Sequence, residues 1–353
     1  MRELLEDMVS KGASDLHITA GLPPQLRIDG SVASTNFPVL TGDETRRLAY
    51  SILNDEQKKR FENEKELDFS FGVQGISRFR ANVFQQRGVT AMAIRQIPYE
   101  IHTFEQLGLP QVCRDLIGKM QGLILVTGPT GSGKSTTLAT MLDTINTQRK
   151  GHIITIEDPI EFVHQHKSCI VNQREVNSDT HGFTDALKYV LRQDPDVILV
   201  GEMRDRETIA AALTIAETGH LCLATLHTNS TFETINRIVD VFPSGQQNQI
   251  RSQLSFCLKG VLTQQLIPRA RGGGRVLAME IMVCTPGIKA MIRDDKVHQI
   301  YGLMQAGQKH GMQTMNQSLH QAVINKWISM EEAMSRSTDV GELMQMLGEP
   351  AGV

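Results

Sequence analysis

Gly128-Pro-Thr-Gly-Ser-Gly-Lys-Ser135 has the spacing G-x-x-x-x-G-K-S of a phosphate-binding loop. An unbroken apolar run at residues 123–126 precedes the loop, as expected of a parallel strand that is covered on both faces. Residues 136–145 follow it with apolar side chains at helical spacing. Strand, glycine-rich loop and helix together predict an α/β domain that binds a nucleoside triphosphate.

The residue types of this loop suit ATP and Mg²⁺. The glycines allow successive backbone N–H groups to face one anion at the N-terminus of a helix. Lys134 adds a positive charge for the β- and γ-phosphates, and the Ser135 hydroxyl can ligate Mg²⁺. The predicted nucleotide-binding residues of the loop are Gly128, Thr130, Gly131, Ser132, Gly133, Lys134, Ser135 and Thr136.

Length and composition indicate a protein of about two domains, since the chain has 353 residues. No apolar run approaches the roughly 18 residues of a membrane span, and the polar N-terminus is unlike a secretory signal. The net charge of −3 argues against a globally basic nucleic-acid binder. Five scattered cysteines without a C-x-x-C pair predict neither a zinc site nor a disulfide framework. A cytoplasmic protein is therefore expected.

Residues 1–97 alternate short strands and helices, which predicts a separate small α+β domain. Asp29-Gly30 is a hairpin turn signal between two alternating segments. Thr41-Gly-Asp-Glu44 is a capping box, which marks the start of a helix. Residues 98–109 are predicted to form a linker into the nucleotide-binding domain.

The last predicted hairpin of this first domain contains a pair of arginines. If Arg87-Gly88 is a two-residue turn, the strands pair so that Arg80 lies opposite Arg95. Facing like charges destabilise a sheet, and an anion between them, such as nucleotide phosphate, would relieve the repulsion. The alternative is a solvated strand face with splayed side chains and a slightly different register. The sequence leaves both interpretations open.

Acidic and histidine side chains follow the apolar strands of the nucleotide-binding domain. Ligands of open α/β sheets lie beyond the carboxyl ends of the strands, so these side chains are expected to converge on the phosphates. The set comprises Glu157, Asp158, Glu161, Glu202 and His227, with Arg204 as a further nucleotide contact. Glu202 is the best candidate for positioning Mg²⁺ and the attacking water, because it caps the most hydrophobic strand. Gly201 stands where an aspartate is common, which leaves the division of work between Glu202 and Glu161 open.

Histidines stand at both ends of another predicted strand. His220 and His227 could form a metal pair, but without a carboxylate at ligand spacing they are better explained as phosphate or interdomain hydrogen-bond donors. Gly272-Gly273-Gly274 marks a flexible turn further along the chain. The predicted boundaries are therefore 110–271 for the nucleotide-binding core and 272–353 for a mostly helical C-terminal segment.

Taken together, these motifs resemble those of the secretion ATPase superfamily, and within it the retraction ATPases of type IV pili. The matching stretches are Gly12-Ala-Ser-Asp-Leu-His-Ile18, the loop at 128–135, the acidic box Ile156-Glu-Asp-Pro-Ile-Glu161, Ile198-Leu-Val-Gly-Glu-Met-Arg-Asp205 and the histidine box at 218–228. A further stretch, Gly287-Ile-Lys-Ala-Met-Ile-Arg-Asp294, matches a C-terminal signature of retraction motors in its second half. The long N-terminal region and four-cysteine motif of the assembly motors are not expected here.

The resemblance implies a PAS-like N-terminal domain joined to a RecA-like ATPase domain, assembled as a hexameric ring. It implies a Mg²⁺-dependent ATPase that drives pilus retraction and twitching motility by acting on a platform protein of the inner membrane. Such a motor would be cytoplasmic and peripheral at that membrane. The resemblance also implies that Arg80 and Arg95 act as arginine fingers, because the N-terminal domains of this family carry arginines that reach the nucleotide across an interface.

Two other functions remain open from the sequence. One is a nucleotide-sensing scaffold, or accessory pilus or secretion ATPase, with little turnover. The other is a nucleic-acid translocase, which would share the ATPase core. The chain has no basic stripe interleaved with aromatic residues, so no nucleic-acid partner is expected.

Overall fold

A computed structural model describes residues 1–28, 30–97 and 100–348. By their internal contacts the residues form two units. The first consists of Met1–Glu100 with Glu161–Val163, and the second of Ile101–Ile160 with His164–Val353. Among the described residues, no helix has both the length and the apolar character that crossing a membrane requires.

The first unit is an α+β domain built on an antiparallel sheet. Its helices are α1 (Arg2–Ser10), α2 (Gly42–Tyr50) and α3 (Asp55–Glu64), and its strands are β1 (Asp15–Ile18), β2 (Gln25–Ile28), β3 (Ser31–Ser34), β4 (Glu66–Val73), β5 (Ser77–Gln86) and β6 (Val89–Ile97). The strand order is β3-β2-β1-β6-β5-β4. Side chains from α1 and the sheet, including Leu5, Met8 and Phe79, form its core.

Local sequence signals explain how these elements begin and turn. Thr41 caps α2 and Glu44 bonds back to the cap, which confirms the predicted capping box. Arg87 and Gly88 both have positive φ, at 48° and 79°, as a two-residue hairpin turn requires. The resulting register pairs Arg80 with Arg95, as predicted. Of the other predicted turn, Asp29 lies outside the described residues.

The second unit is an α/β domain whose sheet carries helices on both faces. Its helices are α4 (Phe104–Leu107), α5 (Gln111–Ile117), α6 (Lys134–Gln148), α7 (Phe183–Val190), α8 (Arg206–Glu217), α9 (Thr231–Asp240), α10 (Ser244–Cys257), α11 (Pro286–Arg293), α12 (Ile300–Gln305), α13 (Met315–Ile324), α14 (Met330–Arg336) and α15 (Val340–Leu347). Its strands are β7 (Gly122–Thr127), β8 (His152–Glu157), β9 (Ile170–Glu175), β10 (Val197–Val200), β11 (Leu221–Leu226), β12 (Leu258–Pro268) and β13 (Arg275–Val283).

The order of this sheet is β13-β12-β7-β11-β10-β8-β9, and all neighbours are parallel except β12 and β13. Strand β7 therefore lies inside the sheet, next to β11, while β10 lies one strand further away. Alternate side chains of β7 enter two different cores, with Leu125 on one face and Ile124 on the other. This two-sided burial explains why the parallel strands are continuous apolar runs.

Two predicted boundaries differ from the structure. Residues 98–109 are not simply a linker: Thr103 caps α4, and Phe104 is buried in the core of the second unit, while Pro98 and Tyr99 lie outside the described residues. The glycines at 272–274 do not separate the sheet from a helical segment. They join β12 to β13, an edge strand of the same sheet, because a glycine-rich turn also suits a hairpin.

Candidate nucleotide site

The phosphate-binding loop leaves β7 and enters α6 through three glycines with positive φ. Gly128, Gly131 and Gly133 have φ values of 136°, 79° and 89°, which side chains of other residues rarely allow. A Cβ atom on Gly128 would also lie 2.4 Å from the carbonyl oxygen of Gln264. The loop therefore needs glycine for both conformation and space. Ser135 and Thr136 follow Lys134 in the first turn of α6, where backbone N–H groups are available to an anion.

Lys134 is buried at the base of this loop. Its Nζ donates hydrogen bonds to the carbonyl oxygens of Gly128, at 2.8 Å, and Pro129, at 3.0 Å. It also lies 3.5 Å from Nδ1 of His227, which follows the carboxyl end of β11. The structure thus brings together two residues predicted from separate motifs.

His227 also reaches the acid at the end of β10. Its Nε2 lies 3.3 Å from Oε1 of Glu202, and Nε of Arg204 lies 2.8 Å from the same oxygen. The imidazole therefore stands between the loop lysine and the carboxylate, in a row from Lys134 through His227 to Glu202. Adjacent positions of β7, β11 and β10 in the sheet account for this meeting.

The electrostatics of the row favour an ionised Glu202. Burial raises the pKa of the Glu202 carboxyl, but hydrogen bonds from Arg204 and His227 and the electrostatic attraction of these side chains outweigh that effect. The net pKa is below the ordinary value for glutamate. A carboxylate in this state can accept a proton from water or hold a water ligand of a metal ion.

Gly201 is explained by the close approach of β8. A Cβ atom there would lie 3.0 Å from the carbonyl oxygen of Ile156 and 3.1 Å from Cα of Glu157. No aspartate fits without moving that backbone. Glu157 is the acidic residue at the carboxyl end of the neighbouring strand β8. Its Oε1 accepts hydrogen bonds from Thr155 Oγ1, at 2.6 Å, and Gln173 Nε2, at 3.2 Å.

The remaining predicted residues are not all in this cluster. Asp158 is exposed, and its charge acts on Arg204. Glu161 is exposed and belongs to the first unit. His220 precedes β11, and its Nδ1 lies 3.2 Å from Thr218 Oγ1 and 3.3 Å from the carbonyl oxygen of Ile215. The six residues of β11 lie between it and His227, which puts the two about 23 Å apart at roughly 3.3 Å per residue step.

That separation excludes a metal ion shared by the two histidines, which the sequence already disfavoured, and the role of His220 as a phosphate or interdomain hydrogen-bond donor stays a prediction. His220 lies at the amino end of its strand, away from the phosphate-binding loop of its own chain, and it cannot share a metal ion with His227. The sequence placed the two histidines at opposite strand ends, but only the carboxyl end of a parallel strand faces the ligand edge of the sheet.

Ser135 and Glu202 are the two residues predicted to hold Mg²⁺, and a hydroxyl and a carboxylate are oxygen ligands of the kind that this ion takes. Among the described residues, no group of three or more His, Cys, Asp or Glu side chains is arranged to hold a metal ion. Mg²⁺ commonly takes one or two protein oxygens together with phosphate oxygens and water. A hydroxyl and a carboxylate at the loop supply that smaller set.

Two features of the loop were not predicted from the sequence. The Ser132 Oγ is buried without a hydrogen-bond partner, which suits a loop shaped for an anion. Arg275 at the start of β13 places Nη1 3.4 Å from the carbonyl oxygen of Gly131. No local motif marks Arg275, because its approach to the loop depends on β12 pairing with β7.

In the first unit, Arg80 and Arg95 lie on a row of paired residues across five strands. Nε of Arg95 donates to Oδ1 of Asp15 at 2.8 Å, and Nη2 of Arg80 lies 3.9 Å from Oδ1 of Asp68. Their side chains remain 69 % and 48 % exposed. The predicted register is confirmed, but carboxylates already reduce the repulsion, so the pairing alone does not require a bound anion.

Comparisons with known proteins agree along nearly the whole chain. A family model described as "Type II/IV secretion system protein" matches residues 1–335. The "Type IV pilus retractation ATPase PilT" of Pseudomonas aeruginosa is 52 % identical over 335 residues, which cover 95 % of this chain and 97 % of that protein. The "Twitching motility protein" of Neisseria gonorrhoeae is 46 % identical over 89 % of this chain and 84 % of its own length.

Solved structures support the same fold. The structure titled "Crystal Structure of the Pilus Retraction Motor PilT and Bound ADP" superposes with a TM-score of 0.92 at 52 % identity, covering 97 % of this chain and 98 % of that one. The ATPase DotB of Legionella pneumophila superposes with a TM-score of 0.78 at 27 % identity, covering 95 % and 94 %. The predicted α/β fold with an ATPase core is confirmed.

Proposed function

Since the chain belongs to the family of type II/IV secretion system proteins, we propose that it is an ATP-hydrolysing motor that powers retraction of type IV pili. The observation that carries the proposal is the row Lys134–His227–Glu202 at the phosphate-binding loop. It joins a phosphate-binding cation to an ionised acid through one imidazole. The 52 % identity to a named pilus retraction ATPase over 95 % of the chain supports the biological role.

In the proposed reaction, Lys134 leaves the loop carbonyls to neutralise the β- and γ-phosphates, whose oxygens are better acceptors for an ammonium group. Glu202 orients the attacking water and accepts its proton, while Arg204 and His227 hold the carboxylate ionised. Mg²⁺, held by Ser135 and Glu202 with the phosphates, would neutralise charge on the transferring group. Glu161 is proposed to share this catalytic role with Glu202.

Force production requires more than one chain in this proposal. We place Arg80 and Arg95 as arginine fingers that act on charge developing at the phosphoryl group. A homo-oligomeric ring, expected to be a hexamer, would supply these arginines between subunits. The partner is proposed to be the platform protein of the pilus machinery, which would bring a cytoplasmic motor to the inner membrane.

A phosphate-release assay of the purified protein, with and without DNA, tests the enzymatic part. Turnover that depends on Mg²⁺ and is insensitive to DNA is expected. Stimulation by DNA would favour a translocase, which would refute the pilus role. ATP binding without turnover in the full-length wild-type protein would favour a nucleotide-sensing scaffold.

A further inference from the structure

Glu280 is a buried carboxylate that the proposed reaction does not use. It lies on β13 and is only 4 % exposed. Its Oε1 accepts a hydrogen bond of 2.7 Å from the backbone N–H of Thr231, the first residue of α9. Burial raises its pKa, while hydrogen bonds from the backbone of Thr231 and Met315 oppose that shift. A glutamate buried at this cost needs a structural reason.

A turn that begins with His227 leads into the helix end to which Glu280 bonds. Between His227 and α9, Thr228 Oγ1 lies 2.6 Å from Thr234 Oγ1, and the Asn229 N–H donates to Glu233 Oε2 at 2.7 Å. These bonds join the turn to α9 itself. The bond from Thr231 to Glu280 is different, because it ties the first residue of α9, and through it the turn, to strand β13.

Strand β13 is in turn fixed on both sides of Glu280, to Gln313 just before α13 and to Ser318 within α13. The backbone of Ile281 exchanges two hydrogen bonds with Gln313, at 2.8 and 3.1 Å. The N–H of Met279 donates to Ser318 Oγ of α13 at 3.0 Å. A displacement of α13 would therefore reach Glu280 through three bonds to its neighbours in β13.

We propose that Glu280 is a positioning residue, which fixes the turn carrying His227 and so keeps His227 between Lys134 and Glu202. The inference rests on the proposed role of that row in ATP hydrolysis. It also connects α13 to the nucleotide site through β13, Glu280 and the turn that carries His227. Misplacement of a reacting group by about 1 Å can cost on the order of 100-fold in rate.

The test measures kcat and KM for ATP in the full-length protein and its variants. We expect Glu280→Ala to lower kcat about 10- to 100-fold with little change in KM. Glu280→Gln should restore most of the rate, because its amide oxygen accepts the same hydrogen bond. In a His227→Ala background, Glu280→Ala should cause little further loss of kcat, since Glu280 acts only by positioning the imidazole that is already absent.

Two further variants separate positioning from stability. Thr231→Pro removes the N–H donor together with the threonine side chain, at a first helical position where proline is tolerated, and should reproduce the loss even where Glu280→Ala does not fold. Asn146 is also buried, and its amide holds the backbone of Gln165, Lys167 and Cys169. Asn146→Ala should lower the melting temperature and leave kcat unchanged.

The inference would be overturned if the losses of kcat in the double variant were additive, or if His227→Ala were active while Glu280→Ala was inactive. A wild-type kcat in Glu280→Ala or in Thr231→Pro would also overturn it. Failure of the proposed function is distinguishable, because the wild-type protein would then release no phosphate from ATP.

Discussion

At the scale of single residues, Lys134 supplies the positive charge of the phosphate-binding loop. Its ammonium group is buried beside two loop carbonyls and His227. Lys134→Ala should weaken ATP binding at least about tenfold, because a hydrogen bond to a charged group contributes about 1.5–3 kcal/mol. Equilibrium binding of a fluorescent ATP analogue measures this loss, and unchanged affinity would exclude Lys134 from the phosphate site.

Glu202→Gln should separate binding from chemistry. The amide keeps the size of the carboxylate, but it cannot accept a proton or hold Mg²⁺ with a negative charge. ATP affinity should therefore stay near the wild-type value, while kcat falls about 10²-fold or more. Glu161→Gln measured in parallel should behave similarly if the two acids share catalysis. An equal loss of binding in Glu202→Gln would identify Glu202 as structural.

The lowered pKa of Glu202 gives a pH prediction. The carboxylate stays ionised as the pH falls, until the pH passes the lowered pKa, and activity should fall there. Arg204→Gln removes the hydrogen bond and the charge that lower this pKa. The acidic limb of the kcat profile should therefore move to higher pH in Arg204→Gln. A limb that does not move would mean that another group controls it.

The sequence predicted the members of the site better than their contacts. The spacing of the loop identified Lys134 and Ser135, because glycine and lysine positions in that motif follow from phosphate geometry. The sequence could not predict that Gly201 lies against Ile156 or that Arg275 lies beside Gly131, because both contacts depend on the order of strands in the sheet. Asp15 beside Arg95 was missed for the same reason, since β1 and β6 are far apart in sequence.

At the scale of elements, α11 carries the C-terminal signature at 287–294, and two of its neighbouring residues have different surroundings. Ile292 is fully buried in the main core, whereas Arg293 is exposed and pairs with Asp294. Ile292→Ala should therefore cost about 2–5 kcal/mol of stability and reduce every activity together. Arg293→Gln should leave ATP turnover intact and reduce twitching. ATP turnover of the purified protein and twitching of a complemented deletion strain measure these two effects. If Arg293→Gln loses both in parallel, Arg293 does not couple ATP hydrolysis to motility.

Elements with strong local patterns were predicted well. Helix α6, the capping box of α2 and the β5–β6 hairpin follow from apolar spacing, capping residues and turn chemistry. Strand β13 was missed because a glycine run can mark either a domain boundary or a hairpin. The choice between them is made by pairing with β12, a long-range interaction that local sequence does not contain.

At the scale of the whole molecule, the arginine fingers are tested by mixing subunits. An Arg80→Ala/Arg95→Ala protein and a Glu202→Gln protein should each be nearly inactive. Mixed and allowed to exchange subunits, they should recover activity, because some interfaces then join intact arginines to an intact acid. Arg27→Ala is the matched control, since Arg27 lies near Asp15 in the same row and is expected to retain activity alone.

Recovery in the mixture requires a site shared between chains. If subunit exchange is confirmed independently and activity does not return, the arginines act within their own chain or are only part of a solvated strand face. At this scale the family could be predicted from combined motifs, because five stretches along the chain agree. Ring formation could not be derived from the residues, since the contacts that would build it are made by other copies.

Retraction driven by ATP hydrolysis is tested by measuring pilus length in the native cell when Glu202→Gln replaces the wild-type protein. A retraction motor without hydrolysis leaves assembled pili in place, so we predict abundant long pili and no twitching. Lys134→Ala should give the same phenotype, and the wild-type gene in trans should restore both properties. Cells without pili would indicate an assembly motor, and cells with normal pili and normal twitching would contradict a role for ATP hydrolysis in retraction.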